Sequence, residues 1–290
     1  MTAAATDARE GAPLGEGERL APGYDVISHL RRGRDLDVYD VWSEERDCRC
    51  VAKVPRSDKR THRPTRRRLR NEGRLLLSLA HPHIVRAYEL IERPNPVLIL
   101  ETIDGETLDH LVSRRSQRLP AVDIAYLGMH LCSAVQFLHR HSIIHLDLKP
   151  SNVISDMGQA KLIDLSIARP PQRVRPGIGT RRYMAPEQAH GGEIGPPTDV
   201  WGIGAVLFEA ATASPPFGVA GIGSLNGSAP ESVSPSVRRH RRLPTALARV
   251  IEGCLELQAA DRPGVMEVSR ALDRFVEGRL GSEVGLRGAA

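Results

Sequence analysis

Between Tyr24 and Leu100 the apolar residues come in short alternating runs: Asp25–Leu30, Val38–Trp42, Cys50–Val54 and Val97–Leu100. A period near two is that of a strand with one buried face, so these segments predict a β-rich first region. One segment breaks the rhythm. Thr65–Leu79 carries Leu69, Leu76 and Leu79 on one helical stripe. From about residue 106 helical spacing takes over. Pro120–Arg140 places Ile124, Leu127, Leu131, Val135 and Leu138 on one face, and Thr198–Ala213 is apolar nearly all round, as a core helix is. The pattern predicts an α+β chain, with a β-rich part over 23–100, a connection at 101–105 and a helical part over 106–278. Residues 1–22 and 279–290 lack periodicity and are expected to be flexible tails; Gly218–Pro235, rich in Gly, Ser and Pro, is expected to be a surface loop.

Composition sharpens this picture at three points. Aromatic residues make up only 4% of the 290, so the core must be built from Leu, Val, Ile and Ala. Of 40 cationic residues only Lys53, Lys59, Lys149 and Lys161 are lysines, leaving 36 arginines, a bias that points to a GC-rich bacterial genome. Where Arg is the default cation, a retained Lys stands where a compact ammonium is needed. Cys48, Cys50, Cys132 and Cys254 show no metal-ligand or C-x-x-C spacing and read as free thiols of a reducing cytosol. The start, MTAAATDARE, has no signal-peptide pattern, and the apolar stretch around Val200 to Phe208 is too short to span a bilayer. The expectation is a soluble, cytoplasmic protein without a membrane segment. The net charge of +5 hints at an acidic partner.

Glu72 lies three residues after Leu69 and four before Leu76, so its carboxylate points into an apolar stripe. Burial there is costly unless a cation pairs with it, the other reading being an edge residue that reaches water.

The decisive segment is His145-Leu-Asp-Leu-Lys-Pro-Ser-Asn152. It resembles the protein-kinase catalytic loop H-R-D-L-K-P-x-N, and the chain is similar to eukaryotic-like serine/threonine kinases of bacterial type. That resemblance implies a bilobal fold, with a small antiparallel-sheet lobe carrying one helix and a larger helical lobe. It implies transfer of the γ-phosphoryl group of ATP, with Mg²⁺ or alternatively Mn²⁺, to protein Ser/Thr hydroxyls. Asp147 would take the base role, Lys149 would contact the transferred phosphate, and Asn152 would be a metal ligand. Lys161-Leu-Ile-Asp164-Leu-Ser resembles the D-F-G loop, giving Asp164 as the second metal ligand. Cys50-Val-Ala-Lys53 resembles the V-A-I-K strand, which implies that Lys53 holds the α- and β-phosphates and pairs with Glu72.

For the nucleotide, the resemblance implies contacts from Leu30 and from Gly33 of the phosphate loop, with Leu100 as gatekeeper. Glu101 to Ile103 would meet the adenine edge, between Val38, Val51, Ile154 and Ile163. On pattern alone those four residues also fit plain strand core. Gly179-Thr180-Arg-Arg-Tyr-Met-Ala-Pro-Glu187 resembles the substrate-positioning loop, implying that Thr180 bonds Asp147 and Lys149. Asp261-Arg262-Pro263 resembles the late arginine that pairs with Glu187. Asp199 would brace the catalytic loop or cap a helix. The resemblance runs from about Tyr24 to Phe275.

It departs in three places, one of them the D-F-G loop, where Leu165 and Ser166 replace the aromatic and the glycine while Asp164 remains. G-x-G-x-x-G-x-V aligns with Arg31 to Val38 and keeps only Gly33, so weaker ATP binding is expected. Leu146 replaces the H-R-D arginine, while Ile167 to Gly179 contains no Ser, Thr or Tyr, so a kinase not switched by loop phosphorylation is expected. The alternative is a pseudokinase, a nucleotide-binding or scaffolding module. A small-molecule kinase fits the Gly179–Glu187 segment poorly. The basic stretches Lys59–Arg70 and Arg238–Arg242 lack the interleaved aromatics of a nucleic-acid surface; they read as solvated faces or as docking sites for acidic protein substrates.

Overall fold

The computed structural model describes residues 11–115, 118–218, 221–222 and 235–287. They fall into two compact units, the first running to His81 and including Val85–Asp104, the second comprising Pro82–Ile84 and the chain from Gly105.

In the first unit an antiparallel sheet has the order β1-β2-β3-β4-β6-β5. Its strands are β1 (Arg19–Ala21), β2 (Tyr24–Arg32), β3 (Leu36–Ser43), β4 (Cys48–Pro55), β5 (Ala87–Ile91) and β6 (Val97–Glu101). Strand alternation sorts its two faces. On one face Tyr24, Val26, Tyr39, Val41, Cys50, Ala52 and Ile99 form a closed apolar cluster. The other face carries Val38 opposite Lys53 and Val51 opposite Leu100. Helix α1 (Arg63–Leu77) buries Leu69, Glu72, Gly73 and Leu76. It sits so close to β5 that a Cβ on Gly73 would lie 2.8 Å from Leu90 Cδ1.

Two expectations are corrected here. The N-terminal stretch expected to be disordered through residue 22 contains β1, which pairs with β2 and buries Ala21 in the apolar cluster; residues 1–10 lie outside the described residues. Strand β5 escaped the sequence pattern because Ala-Tyr-Glu-Leu-Ile fits neither alternation nor a helical stripe.

The second unit opens with β7 (Glu106–Thr107), α2 (Leu108–Arg115) and α3 (Ala121–Arg140). A small sheet joins β7, β8 (Val153–Asp156) and β9 (Gln159–Leu162). Then come β10 (Gln172–Val174), α4 (Pro186–Ala189), β11 (Gly192–Ile194), α5 (Pro196–Thr212), α6 (Thr245–Cys254) and α7 (Val265–Arg287). Helix α5 is buried from Thr198 through Thr212 and ends where Ala213 turns left-handed, its N–H donating to Glu209 O. Helix α3 is long and apolar enough to cross a membrane by length and composition. Its Ile124, Leu131 and Leu138 are nevertheless buried, and it packs on α5 and α7. Helix α7 corrects the expected C-terminal tail, since its backbone stays helical to Arg287. Most of the expected loop 218–235 lies outside the described residues.

Candidate active site

In the first unit, Lys53 Nζ lies 2.7 Å from Glu72 Oε1, with the Glu72 side chain fully buried. The burial-cost argument from the helical stripe is met: the carboxylate is inside, and a cation pairs with it. On the same sheet face Val38 and Val51 are half-buried and Leu100 is buried; Glu101, paired with Cys50, lies on the opposite face and is half-buried. Leu30 is exposed, and Ile103 is half-buried near the end of this unit. Glu101 is fixed from two sides, its N–H donating to Arg86 O and its carboxylate accepting from Arg86 N.

The glycine-poor turn between β2 and β3 is held by other means. Gly33 N–H donates to Leu36 O at 2.8 Å. Arg56 reaches the carbonyls of Gly33 and Arg34, at 3.4 and 3.3 Å. Asp37 is buried against His29 at 3.2 Å. A guanidinium thus occupies turn carbonyls in a loop with one surviving glycine.

The second unit assembles its cluster around Asp147. Asp199, fully buried on α5, accepts from His145 N at 2.8 Å, Leu146 N at 2.9 Å and His139 Nε2 at 2.9 Å. Gly195 occupies the helix N-cap position, so Asp199 braces the loop and does not cap the helix. Leu146 is forced to a φ of 69°, a left-handed conformation that costs a non-glycine residue free energy. The braced turn presents Asp147. Thr180 Oγ1 donates to its Oδ1 at 2.6 Å, and Lys149 Nζ donates to its Oδ2 at 2.7 Å and to Thr180 Oγ1 at 2.8 Å. Asn152 Nδ2 donates to Asp147 O at 2.9 Å and to Oδ2 at 3.2 Å. Asn152 accepts at its backbone carbonyl from Ile163 N at 3.1 Å, which ties the next strand's end to the loop. Asp164 Oδ1 accepts from Ser166 N at 2.8 Å, and Ile154 and Ile163 are half-buried.

His145 is buried beneath this loop, and burial pushes its imidazole below the ordinary histidine pKa, against the pull of Asp199, Asp147 and Asp164. Its Nδ1 accepts from Asp147 N at 3.2 Å, so the ring is neutral with its proton on Nε2.

Sequence reasoning did not anticipate how Leu146 is used. It packs with Ile144 and Ile194, and Ile167, Val174 and Ile178 close over them. Strands β10 and β11 pair over three residues beside this cluster. Gln188 Nε2 donates to Leu146 O at 2.8 Å and Ile178 O at 2.9 Å. Gly179 makes the approach possible: its φ is 114°, and a Cβ there would lie 2.9 Å from Leu146 O. The only sequence signal was the coincidence of Leu146 with a hydroxyl-free segment.

Arg262 and Glu187 form a bidentate pair at 2.7 and 3.0 Å, with Arg262 also stacked 5.0 Å from the Trp201 ring. Against known sequences, a family model described as the protein kinase domain matches residues 24–272. The chain belongs to the protein kinase family. Its curated relatives include serine/threonine-protein kinase PkaA of Streptomyces coelicolor, 35% identical over 225 residues, covering 73% of this chain and 40% of that protein. PknB of Mycolicibacterium smegmatis is 32% identical over 243 residues, covering 79% and 37%. PknB of Mycobacterium tuberculosis is 31% identical over 251 residues, with the same two shares. This kinase chain therefore spans about two fifths of the length of these bacterial relatives.

Several arginines expected to form a solvated or docking face have local partners in the first unit. Arg66 and Arg70 donate to the carbonyls of Pro94 and Glu92, Arg74 pairs with Glu92 at 2.8 Å, and Arg68 reaches Asp35 at 3.5 Å. In the second unit Arg241 caps Leu119 O.

Proposed function

We propose that this chain is a protein-serine/threonine kinase that moves the γ-phosphoryl group of ATP to a Ser or Thr hydroxyl of a protein. The observation that carries this reading is the Asp147 carboxylate, oriented by Thr180, Lys149 and Asn152 at 2.6, 2.7 and 3.2 Å. As the acceptor oxygen bonds to the γ-phosphorus, the bond to the bridging β–γ oxygen breaks. ADP leaves, and the hydroxyl proton passes to Asp147. Lys149 neutralises charge on the phosphoryl group, and Thr180 fixes the carboxylate's plane. Lys53, steadied by Glu72, holds the α- and β-phosphates, and on the first unit the half-buried Val38 and Val51, with Leu100, Glu101 and Ile103, meet the adenine. Gly33 edges the phosphates, and Leu30 contacts the nucleotide beside it.

The residues fit a divalent cation. Asn152 uses its amide N–H groups on Asp147, leaving its carbonyl oxygen as a hard donor, and the Asp164 carboxylate is turned by Ser166 N–H. Mg²⁺, or Mn²⁺, held there would neutralise phosphate charge.

The apolar packing of Ile167, Val174 and Ile178 on Leu146 supports a kinase whose segment 167–179 needs no phosphate to be ordered. Four free thiols accord with a reducing, cytoplasmic setting. The glycine-poor turn favours the second reading, a nucleotide-binding scaffold with little turnover.

Incubation with labelled ATP, Mg²⁺ or Mn²⁺ and a generic protein substrate tests both, beside Asp147→Asn. Label in the wild type alone is expected. No label, with a nucleotide-dependent melting shift, would replace this reading with the scaffold.

A further inference from the structure

The segment that delivers Thr180 to Asp147 is strongly cationic. From Arg169 to Arg182 the chain carries Arg169, Arg173, Arg175, Arg181 and Arg182, and no Asp or Glu. Arg169 is half-buried and donates to Ile167 O, whereas the other four are exposed. Their compensation is slight. Arg173 meets Glu193 only at 3.8 Å, with both side chains more than two-thirds exposed, where an ion pair contributes little. Arg182 faces Glu209, but that carboxylate is buried and bonded to Tyr183. Arg175 and Arg181 have no carboxylate partner among the described residues.

Arg181 and Arg182 are also built in place. Tyr183 N and Met184 N both donate to Thr180 O, at 2.9 and 3.2 Å, so the two arginines are the central residues of a turn. Gly221, at a φ of 67°, packs against the backbone of Arg181 and Arg182 so closely that it has no room for a Cβ. The turn's backbone is buttressed while its guanidinium side chains stay in solvent. These cations begin one residue after Thr180, whose hydroxyl is bonded to the carboxylate proposed to receive the acceptor proton.

We propose that Arg181 and Arg182, with Arg173 and Arg175 earlier on the same segment, form a specificity rim that selects acceptor sites flanked by acidic side chains. This rests on the kinase reading and adds the substrate class. An extended peptide advances about 3.3 Å per residue, so flanking positions within a few residues of the acceptor hydroxyl fall within reach of such a rim. Guanidinium pairs carboxylates in a forked, two-point geometry that lysine lacks. Exposed pairs of this kind give a graded preference that salt weakens, and several acting together give roughly tenfold discrimination.

The test compares three peptides with one central Ser, flanked by Glu, Gln or Lys. Fluorescence anisotropy reads their binding to the intact protein, and phosphate incorporation reads kcat/KM for each. Roughly tenfold preference for Glu over Gln flanks, and less for Lys, is expected in both readouts, shrinking several-fold between low and high salt. In Arg181→Glu/Arg182→Glu the order of the Glu- and Lys-flanked peptides is expected to reverse, a rescue that a misfolded variant cannot show. Equal binding and turnover of all three peptides, or a preference unchanged in the double variant, overturns the rim while leaving the kinase reading standing. Acid-selective binding without phosphorylation overturns the kinase reading and leaves the rim.

Discussion

Thr180 Oγ1 donates to Asp147 Oδ1 at 2.6 Å, joining two loops 33 residues apart in the chain. A hydroxyl bonded to an ionised carboxylate contributes about 1.5–3 kcal/mol, more than a neutral pair. Thr180→Val is therefore expected to lower kcat roughly 10- to 100-fold with little change in KM for ATP, and Thr180→Ser to recover most of it. Steady-state kinetics over both substrates read this, and equal damage by Val and Ser would refute the bond's role.

Lys53 and Glu72 are a buried pair in which the carboxylate is wholly enclosed and the ammonium largely so. Removing the cation alone strands a buried charge. Lys53→Met is expected to cost about 3–5 kcal/mol, whereas Lys53→Met/Glu72→Leu costs less than the single variant. Calorimetric melting of the three proteins checks the sign, and additive losses would exclude coupling.

Acid should unfold the second unit in a definable window. His130 is pushed down to about 4, by burial first and by His83, stacked 4.2 Å away, second. Its Nδ1 accepts from Ala160 N, which favours the neutral ring. A histidine with a depressed folded pKa stays neutral in the native state while the unfolded chain takes up its proton. Its stabilisation is full above about 6.5 and is lost as pH falls towards 4, at a cost of about 1–2 kcal/mol by pH 5. His145 acts in the same direction. Melting temperature measured from pH 7.5 to 4.5 is expected to fall below 6.5, and less steeply in His130→Gln. Parallel curves would exclude His130 as a source.

Leu146→Ala should loosen what the aliphatic cluster fastens. A large-to-small change at a buried leucine costs about 2–5 kcal/mol. Here part of it is expected as local opening of 167–179, which lets trypsin reach the Arg173–Val174 bond, while Arg169 and Arg175 precede proline and resist cleavage. Limited proteolysis followed by mass spectrometry is expected to show faster cleavage after Arg173; cleavage at the wild-type rate would show that Leu146 does not hold the segment.

Much of this was legible in the sequence for reasons that differ by residue. Glu72 betrayed its place because a carboxylate in a leucine stripe needs a partner, and one strand residue supplied it. Asp147, Lys149, Asn152 and Thr180 were readable as a motif, and the structure joins the four by hydrogen bonds. What stayed hidden depends on contacts between distant segments. No local pattern reports that Arg56 caps the carbonyls of Gly33 and Arg34. Nor does one report that Gln188 bridges Leu146 and Ile178, or that β1 closes the edge of the first sheet. Element ends were misplaced by one to several residues for the same reason: pairing and capping set them, and hydrophobic periodicity does not see either.

Fastening segment 167–179 through Ile144, Leu146 and Ile194 leaves a phosphatase nothing to remove there. Aliphatic packing has no covalent off state and weakens only gradually, for instance on cooling. Under the kinase reading proposed above, a phosphate switch would have to act outside segment 167–179.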